Sequence, residues 1–184
     1  VRRLSAVETL GSTTIICTDK TGTITENQMT LRQIVMPDAE INVTGTGYEP
    51  QGQFEQEDGS QLTEGEQENL DLFLQAGALC SNATINQNDE GMWKVIGDPT
   101  EGALVTAARK AGYDKEKMEE NDYHRLEEVP FSSELKYMAV SYEIPEGDYI
   151  FVKGAPDVVL DMCDSELTAD GKRELTAERI TELM

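Results

Sequence analysis

The spacing of hydrophobic positions predicts several amphipathic helices. Within residues 66–80 apolar side chains recur at intervals of three and four, which gives one apolar helix face: Leu70, Phe73, Leu74, Gly77 and Ala78. Asp98 and Pro99 are typical of an N-cap and a first helical turn, and Gly112 is a natural end for the helix that they begin. Further helices are expected at residues 114–121, from Pro156 onward and at residues 176–184.

Short runs of β-branched or alternating apolar residues predict strands between these helices. The runs cover residues 13–17, 31–36, 41–44, 92–96, 123–130, 137–144 and 149–153. The last two flank Pro145–Asp148, and this spacing predicts an antiparallel hairpin. Residues 45–52 are turn formers, whereas residues 53–68 and 83–91 are polar and are expected to be loops, the first of them running into the helix.

The charge and composition argue against several classes of function. The 184 residues carry a formal net charge of −21, which argues against binding to nucleic acids or anionic membrane surfaces, since both depend on Lys and Arg clusters. No apolar stretch has transmembrane length, and residues 1–4 lead into polar sequence, not a signal peptide. Three widely spaced cysteines are expected to be free thiols, packed as small apolar groups in a reducing compartment. The single histidine, His124, offers no histidine metal site.

A lone carboxylate, Asp19, follows the apolar run of residues 13–17 and opens a loop of Thr and Gly residues. The carboxyl ends of such strands are where open α/β sheets place their chemistry, and Gly22 lets the backbone approach a ligand closely. A carboxylate can attack a phosphoryl group to form an aspartyl-phosphate. Because both groups are anionic, the attack needs Mg²⁺ and a cationic side chain. Asp19 is therefore a candidate nucleophile for phosphoryl transfer, although an isolated Asp-Lys-Thr-Gly is more often a surface turn.

The run Cys17–Thr25 resembles the phosphorylation motif of the P-type cation-transporting ATPases. Residues 6–11 before it and residues 27–30 after it resemble the same family. The resemblance implies that ATP phosphorylates the aspartate of the motif, and that the catalytic residues and the Mg²⁺ ligands lie in this loop. The implied catalytic residues are Asp19, Lys20 and Thr21, and the implied metal ligands are Asp19 and Thr21.

The resemblance extends over essentially the whole chain and implies a site for ATP or ADP built from separate segments. Glu101 matches the family's acidic residue near the adenine amino group, Phe131 matches the aromatic residue that stacks on adenine, and Lys153 matches the lysine deep in the pocket. Taken singly, each of these has an ordinary structural interpretation, and it is their shared order and spacing that favours the site. The implied nucleotide-binding residues are Glu101, Phe131, Lys136, Lys153, Gly154 and Ala155.

Two positions near Lys136 depart from the family's pattern. Leu135 stands where many relatives carry an arginine that can contact the phosphates, and Ser133 stands where the calcium pumps of muscle reticulum carry an arginine. The affinity for nucleotide is therefore expected to be weaker, or to rely more on Lys136.

The resemblance implies an α/β (α+β) fold, with a mainly antiparallel twisted sheet flanked by helices and preceded by one strand of the phosphorylation domain. Residues 1–27 would begin the phosphorylation domain, and residues 28–184 would form the nucleotide-binding domain. Because parallel strands need partners and covered faces, we expect the first segment to be poorly anchored or paired with another molecule. The family's later motifs and transport helices are not in this sequence, so we expect weak binding of ATP or ADP without phosphorylation of Asp19.

The function implied by the resemblance is the ATP-binding part of a pump that couples ATP hydrolysis, through an aspartyl-phosphate, to ion transport across a membrane. Residues 97–104 and 8–11 favour the calcium-pump branch, with the sodium/potassium-type branch as the alternative. The implied partners are the remaining phosphorylation, actuator and transmembrane domains of the same pump. The implied location is the cytoplasmic side of a membrane.

Two other classes of function remain open from the residues alone. Soluble phosphatases of the haloacid dehalogenase superfamily usually place a second aspartate two residues after the nucleophile, where this chain has Thr21. Activity on p-nitrophenyl phosphate would favour that class. A non-catalytic interaction module could use the acidic residues 53–68, and it would be favoured if nucleotide perturbed nothing near Phe131 and Lys153.

Overall fold

A computed structural model describes residues 11–145 and 147–184. The elements in chain order are β1 (Gln33–Val35), β2 (Glu40–Val43), β3 (Phe54–Gln56), α1 (Glu64–Leu79), β4 (Thr84–Gln87), β5 (Trp93–Ile96), α2 (Pro99–Lys110), α3 (Lys115–Asn121), β6 (His124–Val129), β7 (Tyr137–Ile144), β8 (Gly147–Gly154), α4 (Pro156–Leu160), β9 (Ser165–Thr168), β10 (Gly171–Glu174) and α5 (Ala177–Leu183). Residues 6–10, in the predicted approach to the Asp19 loop, lie outside the described residues. Among the helices of the described residues, none is long and apolar enough to cross a membrane.

Every strand pairing within the described residues is antiparallel, and the hydrogen bonds divide the strands into four small sheets. Their orders are β1-β2-β3, β4-β5, β6-β7-β8 and β9-β10. The predicted α/β class, with helices beside antiparallel sheets, is confirmed. The structure differs from the expected single sheet because each ladder joins strands that follow one another along the chain, so the backbone groups are satisfied locally.

α1 contributes to two hydrophobic clusters and so connects the first sheet to the sheet β6-β7-β8. Its predicted apolar face is confirmed for Leu70, Leu74 and Ala78, which pack with β1, β2 and α2, whereas Phe73 is exposed. The chain at the C-terminal end of α1 packs against buried residues of β7 and β8: Met138, Val140, Tyr142 and Phe151. This contact fixes the sheet β6-β7-β8 beside the end of α1.

The predicted strand at residues 13–17 is not formed in the described part of the chain. Residues 13–18 are assigned to no strand, and the side chains of residues 11–29 are exposed. A strand is stable only when a neighbouring strand satisfies its backbone groups and covers its faces. The expectation of one strand ahead of the nucleotide-binding domain is therefore wrong for these residues. The division of the chain at residues 27 and 28 stays a prediction.

The sequence analysis missed four strands. β3 lies inside the predicted loop 53–68, β4 lies inside the predicted loop 83–91, and the hairpin β9-β10 occupies a segment without a predicted element. These strands are three or four residues long and rich in polar side chains, so they carry little apolar alternation. Their antiparallel partners, not their own composition, stabilise them.

The cysteines are free, as predicted, but their surroundings differ. Cys80 is buried, whereas Cys17 and Cys163 are exposed, so the expectation of packed thiols is wrong for these two. His124 begins β6 and is exposed, which agrees with its interpretation as an ordinary strand residue.

Candidate functional site

Three of the predicted nucleotide-binding side chains start from one end of the sheet β6-β7-β8. Phe131 lies two residues beyond the end of β6, Lys136 lies one residue before β7, and Lys153 is the penultimate residue of β8. β7 pairs with both neighbours in antiparallel register, so the end of β6, the start of β7 and the end of β8 coincide. We refer to this edge as the sheet end.

An ion pair joins Lys153 at the sheet end to Glu101 in the first turn of α2. The distance from Lys153 Nζ to Glu101 Oε1 is 2.8 Å. The other carboxylate oxygen of Glu101 accepts hydrogen bonds from the backbone N–H groups of Asn82, at 2.8 Å, and Ala83, at 3.0 Å. The Lys153 side chain is 26% exposed and that of Glu101 only 13%. The ammonium group is therefore partly accessible, whereas the carboxylate is largely enclosed.

Glu101 reaches this position because of the way α2 begins. The side chain of Asp98 caps the helix by accepting hydrogen bonds from the N–H groups of Thr100 and Glu101, with Pro99 at the first helical position. The predicted start of α2 is thus confirmed, and it places Glu101 in the turn that faces β8.

Lys136 ends a tight turn that begins at Ser132. The N–H of Lys136 donates to the carbonyl oxygen of Ser132 at 2.7 Å, and the Ser132 hydroxyl accepts from the N–H of Leu135 at 3.0 Å. Lys136 Nζ lies 3.4 Å from Oδ2 of Asp157, and about half of each side chain is exposed. An exposed pair at this distance contributes little, so the ammonium group of Lys136 remains available to another anion.

Gly154 allows the end of β8 to lie directly against the start of β7. A Cβ atom at this position would lie 2.5 Å from the carbonyl oxygen of Lys136 and 2.6 Å from Cβ of Tyr137. The N–H of Ala155 donates to the same carbonyl oxygen at 2.9 Å. Packing therefore requires glycine here, and the backbone of Gly154 and Ala155 fixes the position of Lys136.

Phe131 presents its ring to solvent at the sheet end, with 60% of the residue exposed. An exposed aromatic face of this kind can be covered by another planar group, such as a nucleobase. Behind Lys153 lies the buried thiol of Cys80, 3.4 Å from the carbonyl oxygen of Phe151. Burial raises the pKa of the Cys80 thiol, and the nearby charge of Lys153 acts in the opposite direction.

Residues Ser81–Ala83, which we call the 81–83 turn, hold a network that the sequence analysis missed. Asn82 Nδ2 donates to Glu128 Oε1 at 2.8 Å, and Asn82 Oδ1 accepts from Arg125 Nη2 at 3.0 Å. Lys115 is buried, and its Nζ donates to the carbonyl oxygen of Ser81 at 2.6 Å. Burial lowers the pKa of Lys115, although the neighbouring Glu119 opposes this shift. No spacing along the chain could indicate these contacts, because their partners come from α3 and β6.

The Asp19 loop forms a local turn. Oδ1 of Asp19 accepts from the N–H of Lys20 at 2.7 Å, and the N–H groups of Ile24 and Thr25 donate to the carbonyl oxygen of Lys20 at 3.0 and 3.1 Å. Gly22 has a φ of 73°, which suits such a turn. Among the described residues, no hydrogen bond or ion pair joins Asp19, Lys20 or Thr21 to the predicted nucleotide-binding residues.

The donors of the Asp19 loop suit Mg²⁺ that arrives with a phosphate. Asp19 offers a carboxylate and Thr21 a hydroxyl, and both side chains are exposed. Mg²⁺ usually keeps several waters and takes one or two carboxylates together with phosphate oxygens. Within residues 11–145 and 147–184, no group of three or more His, Cys, Asp or Glu side chains is placed to hold a metal ion. The residues therefore fit a shared ion, not a metal cage made by the protein alone.

Comparison with known proteins identifies a family for most of the chain. The family model described as P-type ATPase, cytoplasmic domain N, matches residues 69–184, which is more than half of the chain. This range contains all the predicted nucleotide-binding residues and none of the Asp19 loop.

Curated relatives extend the similarity over nearly the full chain. The chain is 46% identical to a calcium-transporting ATPase of Bacillus subtilis over 95% of its residues. It is 44% identical to a probable cation-transporting ATPase F of Mycobacterium tuberculosis over 93% of its residues, and 39% identical to calcium-transporting ATPase type 2C member 1 of Bos taurus over 89%. The matches cover 19%, 19% and 17% of these relatives, so the chain spans about a fifth of their length.

Proposed function

The chain belongs to the P-type ATPase family, and on that premise we propose that it is the nucleotide-binding segment of a cation pump, with ATP and ADP as ligands. The observation that carries this proposal is that an exposed aromatic residue and two lysines extend from the same end of the sheet β6-β7-β8. A nucleotide has a planar base and an anionic phosphate chain, and these are the features that such a set recognises.

Each residue of the site has a distinct role in this proposal. The ring of Phe131 stacks on adenine, and the ammonium group of Lys136 approaches the phosphates. Lys153 lies deeper, between the base and Glu101, and Glu101 borders the adenine pocket. Gly154 lets β8 lie directly against β7, and the backbone of Gly154 and Ala155 thereby sets the position of Lys136 beside the ligand.

In the complete pump, Asp19 is the residue that accepts the γ-phosphoryl group. Its carboxylate attacks the γ-phosphorus of ATP, the bond from that phosphorus to the bridging oxygen breaks, and ADP leaves. Lys20 offsets the negative charge of the phosphate, and Asp19 and Thr21 would hold Mg²⁺. Mg²⁺ supplies charge neutralisation between the two anionic reactants. The chemistry of these three side chains supports the assignment, and the pump's other domains must bring the nucleotide to them.

The complete protein would be an ATP hydrolase that moves a cation across a membrane, with this segment on the cytoplasmic side. Its partners are the phosphorylation, actuator and transmembrane domains of the same pump. Two of the relatives described above are named for calcium transport, which supports a calcium-pump branch over the sodium/potassium-type alternative. Calcium-stimulated ATP hydrolysis by a full-length pump containing this segment would support that choice, and stimulation by Na⁺ and K⁺ alone would contradict it.

A chemical-shift titration of the chain with ADP and ATP tests the site directly. We expect the amide signals around Phe131, Lys136 and Lys153 to move together with a single dissociation constant. Phe131→Ala should weaken ADP binding by about tenfold, since base stacking contributes about 1–3 kcal/mol. Phe73→Ala is the matched control, because Phe73 is an exposed phenylalanine on α1, and it should leave the affinity unchanged. Shifts confined to other surfaces, or equal affinity for both variants, would contradict the proposal.

A further inference from the structure

The 81–83 turn connects the surface of β6 to the cation at the sheet end through a chain of hydrogen bonds. Arg125 and Glu128 hold the side-chain amide of Asn82, and they also pair with each other at 2.7 Å. The N–H of Asn82 donates to one oxygen of Glu101, whose other oxygen pairs with Lys153. Each link is between 2.7 and 3.0 Å long, so the chain is continuous from β6 to Lys153.

The same turn is held from the opposite side by a buried cation. Nζ of Lys115 donates to the carbonyl oxygen of Ser81, while the N–H of Ala83 donates to Glu101. The turn is therefore fixed at all three of its residues, and the carboxylate of Glu101 cannot rotate without losing two backbone hydrogen bonds. A lysine side chain loses much rotational freedom when it is ordered, so an anchored partner reduces the cost of presenting Lys153 to a ligand.

We propose that Asn82 and Glu101 are positioning residues, which hold the ammonium group of Lys153 in place for the nucleotide. This inference rests on the proposed nucleotide site, and it assigns a role to Asn82, which contacts Glu101 and not Lys153. Glu101 acts through Lys153, since both of its carboxylate oxygens are already engaged by the protein. Among the described residues, Glu101 is the one carboxylate in ion-pair contact with Lys153.

The reactivity of Lys153 toward trace acetic anhydride, measured by mass spectrometry without nucleotide, reports its position directly. The ammonium group that is hydrogen-bonded to Glu101 must leave that contact and lose a proton before its nitrogen can attack the anhydride. Asn82→Ala removes both side-chain hydrogen bonds of the turn, to Arg125 and Glu128, but keeps the backbone N–H that donates to Glu101. Only part of the lost free energy therefore reaches Lys153, and its acetylation rate should rise by about threefold. The exposed Lys172 serves as the internal reference.

Matched variants separate positioning from general loss of structure. Asn86→Ala removes an exposed asparagine from β4 and should leave Lys153 unchanged. Glu128→Thr removes one of the two side-chain hydrogen bonds of Asn82 and leaves the bond from Arg125, so it should give a smaller increase in the same direction even if Asn82→Ala folds poorly. In a Glu101→Ala background, Asn82→Ala should add nothing. Amide spectra and melting temperatures show whether the rest of the fold is intact.

The two proposals fail in different ways. Unchanged Lys153 reactivity in both Asn82→Ala and Glu128→Thr would overturn the positioning role, whether or not ADP binds. Increased reactivity in both variants, together with an ADP affinity that falls by about threefold, would support both proposals. Increased reactivity in both variants, together with a wild-type chain that binds no ADP, would support the positioning of Lys153 and contradict the nucleotide site.

Discussion

Lys136 carries its side chain on a backbone in the left-handed region, with a φ of 59°. For a residue with a Cβ atom this conformation is unfavourable, and it persists only when the surrounding structure enforces it. Here the carbonyl oxygen of Ser132 binds the N–H of Lys136 and the N–H of Ala155 binds its carbonyl oxygen. A turn former such as glycine would suit the backbone better, so the presence of lysine agrees with a requirement for its charge.

Comparison of Lys136→Gly with Lys136→Ala separates the effect of the ammonium charge on nucleotide affinity from the effect of backbone strain on stability. Both variants should lose nucleotide affinity to the same extent, by about fivefold, because both remove the ammonium group. Lys136→Gly should have the higher free energy of unfolding, by about 0.5–1 kcal/mol, since only glycine relieves the left-handed strain. Urea unfolding and ADP titration measure the two effects, and equal stabilities would show that the turn carries no strain.

Gly154 offers a second test at the residue scale. Gly154→Ala places a Cβ atom 2.5 Å from a backbone oxygen, so the end of β8 must shift. We expect a loss of about 2 kcal/mol or more in the free energy of unfolding, together with weaker ADP binding. Gly11→Ala is the control, because no atom of residues 11–145 and 147–184 lies within 4 Å of the added Cβ, and it should change stability by less than about 0.5 kcal/mol.

At the scale of elements, the N-terminus of α2 decides where Glu101 lies. Partial burial disfavours the charged form of Asp98, but the hydrogen bonds from Glu101 and Thr100 outweigh it, and the pKa of Asp98 is below its ordinary value of 3.8. A depressed pKa means that ionised Asp98 stabilises the fold above the pKa of the unfolded chain. That contribution is lost as the pH falls through the folded pKa.

Replacement of the α2 cap gives a pH-dependent prediction. Asp98→Ala should cost about 1 kcal/mol at neutral pH, because two N–H groups lose their acceptor. Asp98→Asn keeps a capping side chain but removes the titrating group. Its free energy of unfolding should be lower than that of the wild type at neutral pH, and this difference should shrink as the pH falls below about 4. Urea unfolding at several pH values between about 2 and 7 measures this. A deficit that is constant with pH would mean that the charge of Asp98 contributes nothing.

The elements that the sequence predicted correctly are those with their own apolar period or their own caps. α1 has an apolar stripe, α2 has Asp98 and Gly112, and β7-β8 is an alternating hairpin. β4, with its polar residues, was missed because its stability comes from pairing with β5 and from the burial of Ile85. The strand predicted at residues 13–17 failed for the opposite reason: the run is apolar, but no neighbouring strand among the described residues pairs with it.

The candidate site shows the same limit. The resemblance to the family, through order and spacing along the chain, was enough to nominate Glu101, Phe131, Lys136 and Lys153. Order and spacing could not indicate that Glu101 contacts Lys153, or that Asn82 supports both, since these contacts depend on how α1 and α2 pack against the sheet. Packing across separate elements is a tertiary property that local patterns do not encode.

At the scale of the whole molecule, a chain with a net charge of −21 is proposed to bind an anion. The long-range field repels the nucleotide, whereas Lys136 and Lys153 attract it at short range. Salt screens charges that are more than about 10 Å apart first, so adding salt removes repulsion before attraction.

The affinity for ATP should therefore hold or rise as the salt concentration increases from about 10 to 100 mM, and ATP should gain more than ADP because it carries more charge. Isothermal titration calorimetry at fixed pH and Mg²⁺ measures both ligands. A steep loss of affinity over this range, as seen for proteins that bind nucleic acids through basic surfaces, would contradict this balance of charges.

The division into four sheets of consecutive strands bears on how the molecule reaches its native state. Each ladder closes a short loop, so little chain entropy is lost before the first hydrogen bonds form. Such local strand pairing favours rapid formation of each ladder, and each hairpin can form soon after its second strand is synthesised. Within the proposed pump, these hairpins would therefore form on the ribosome during synthesis of the segment itself.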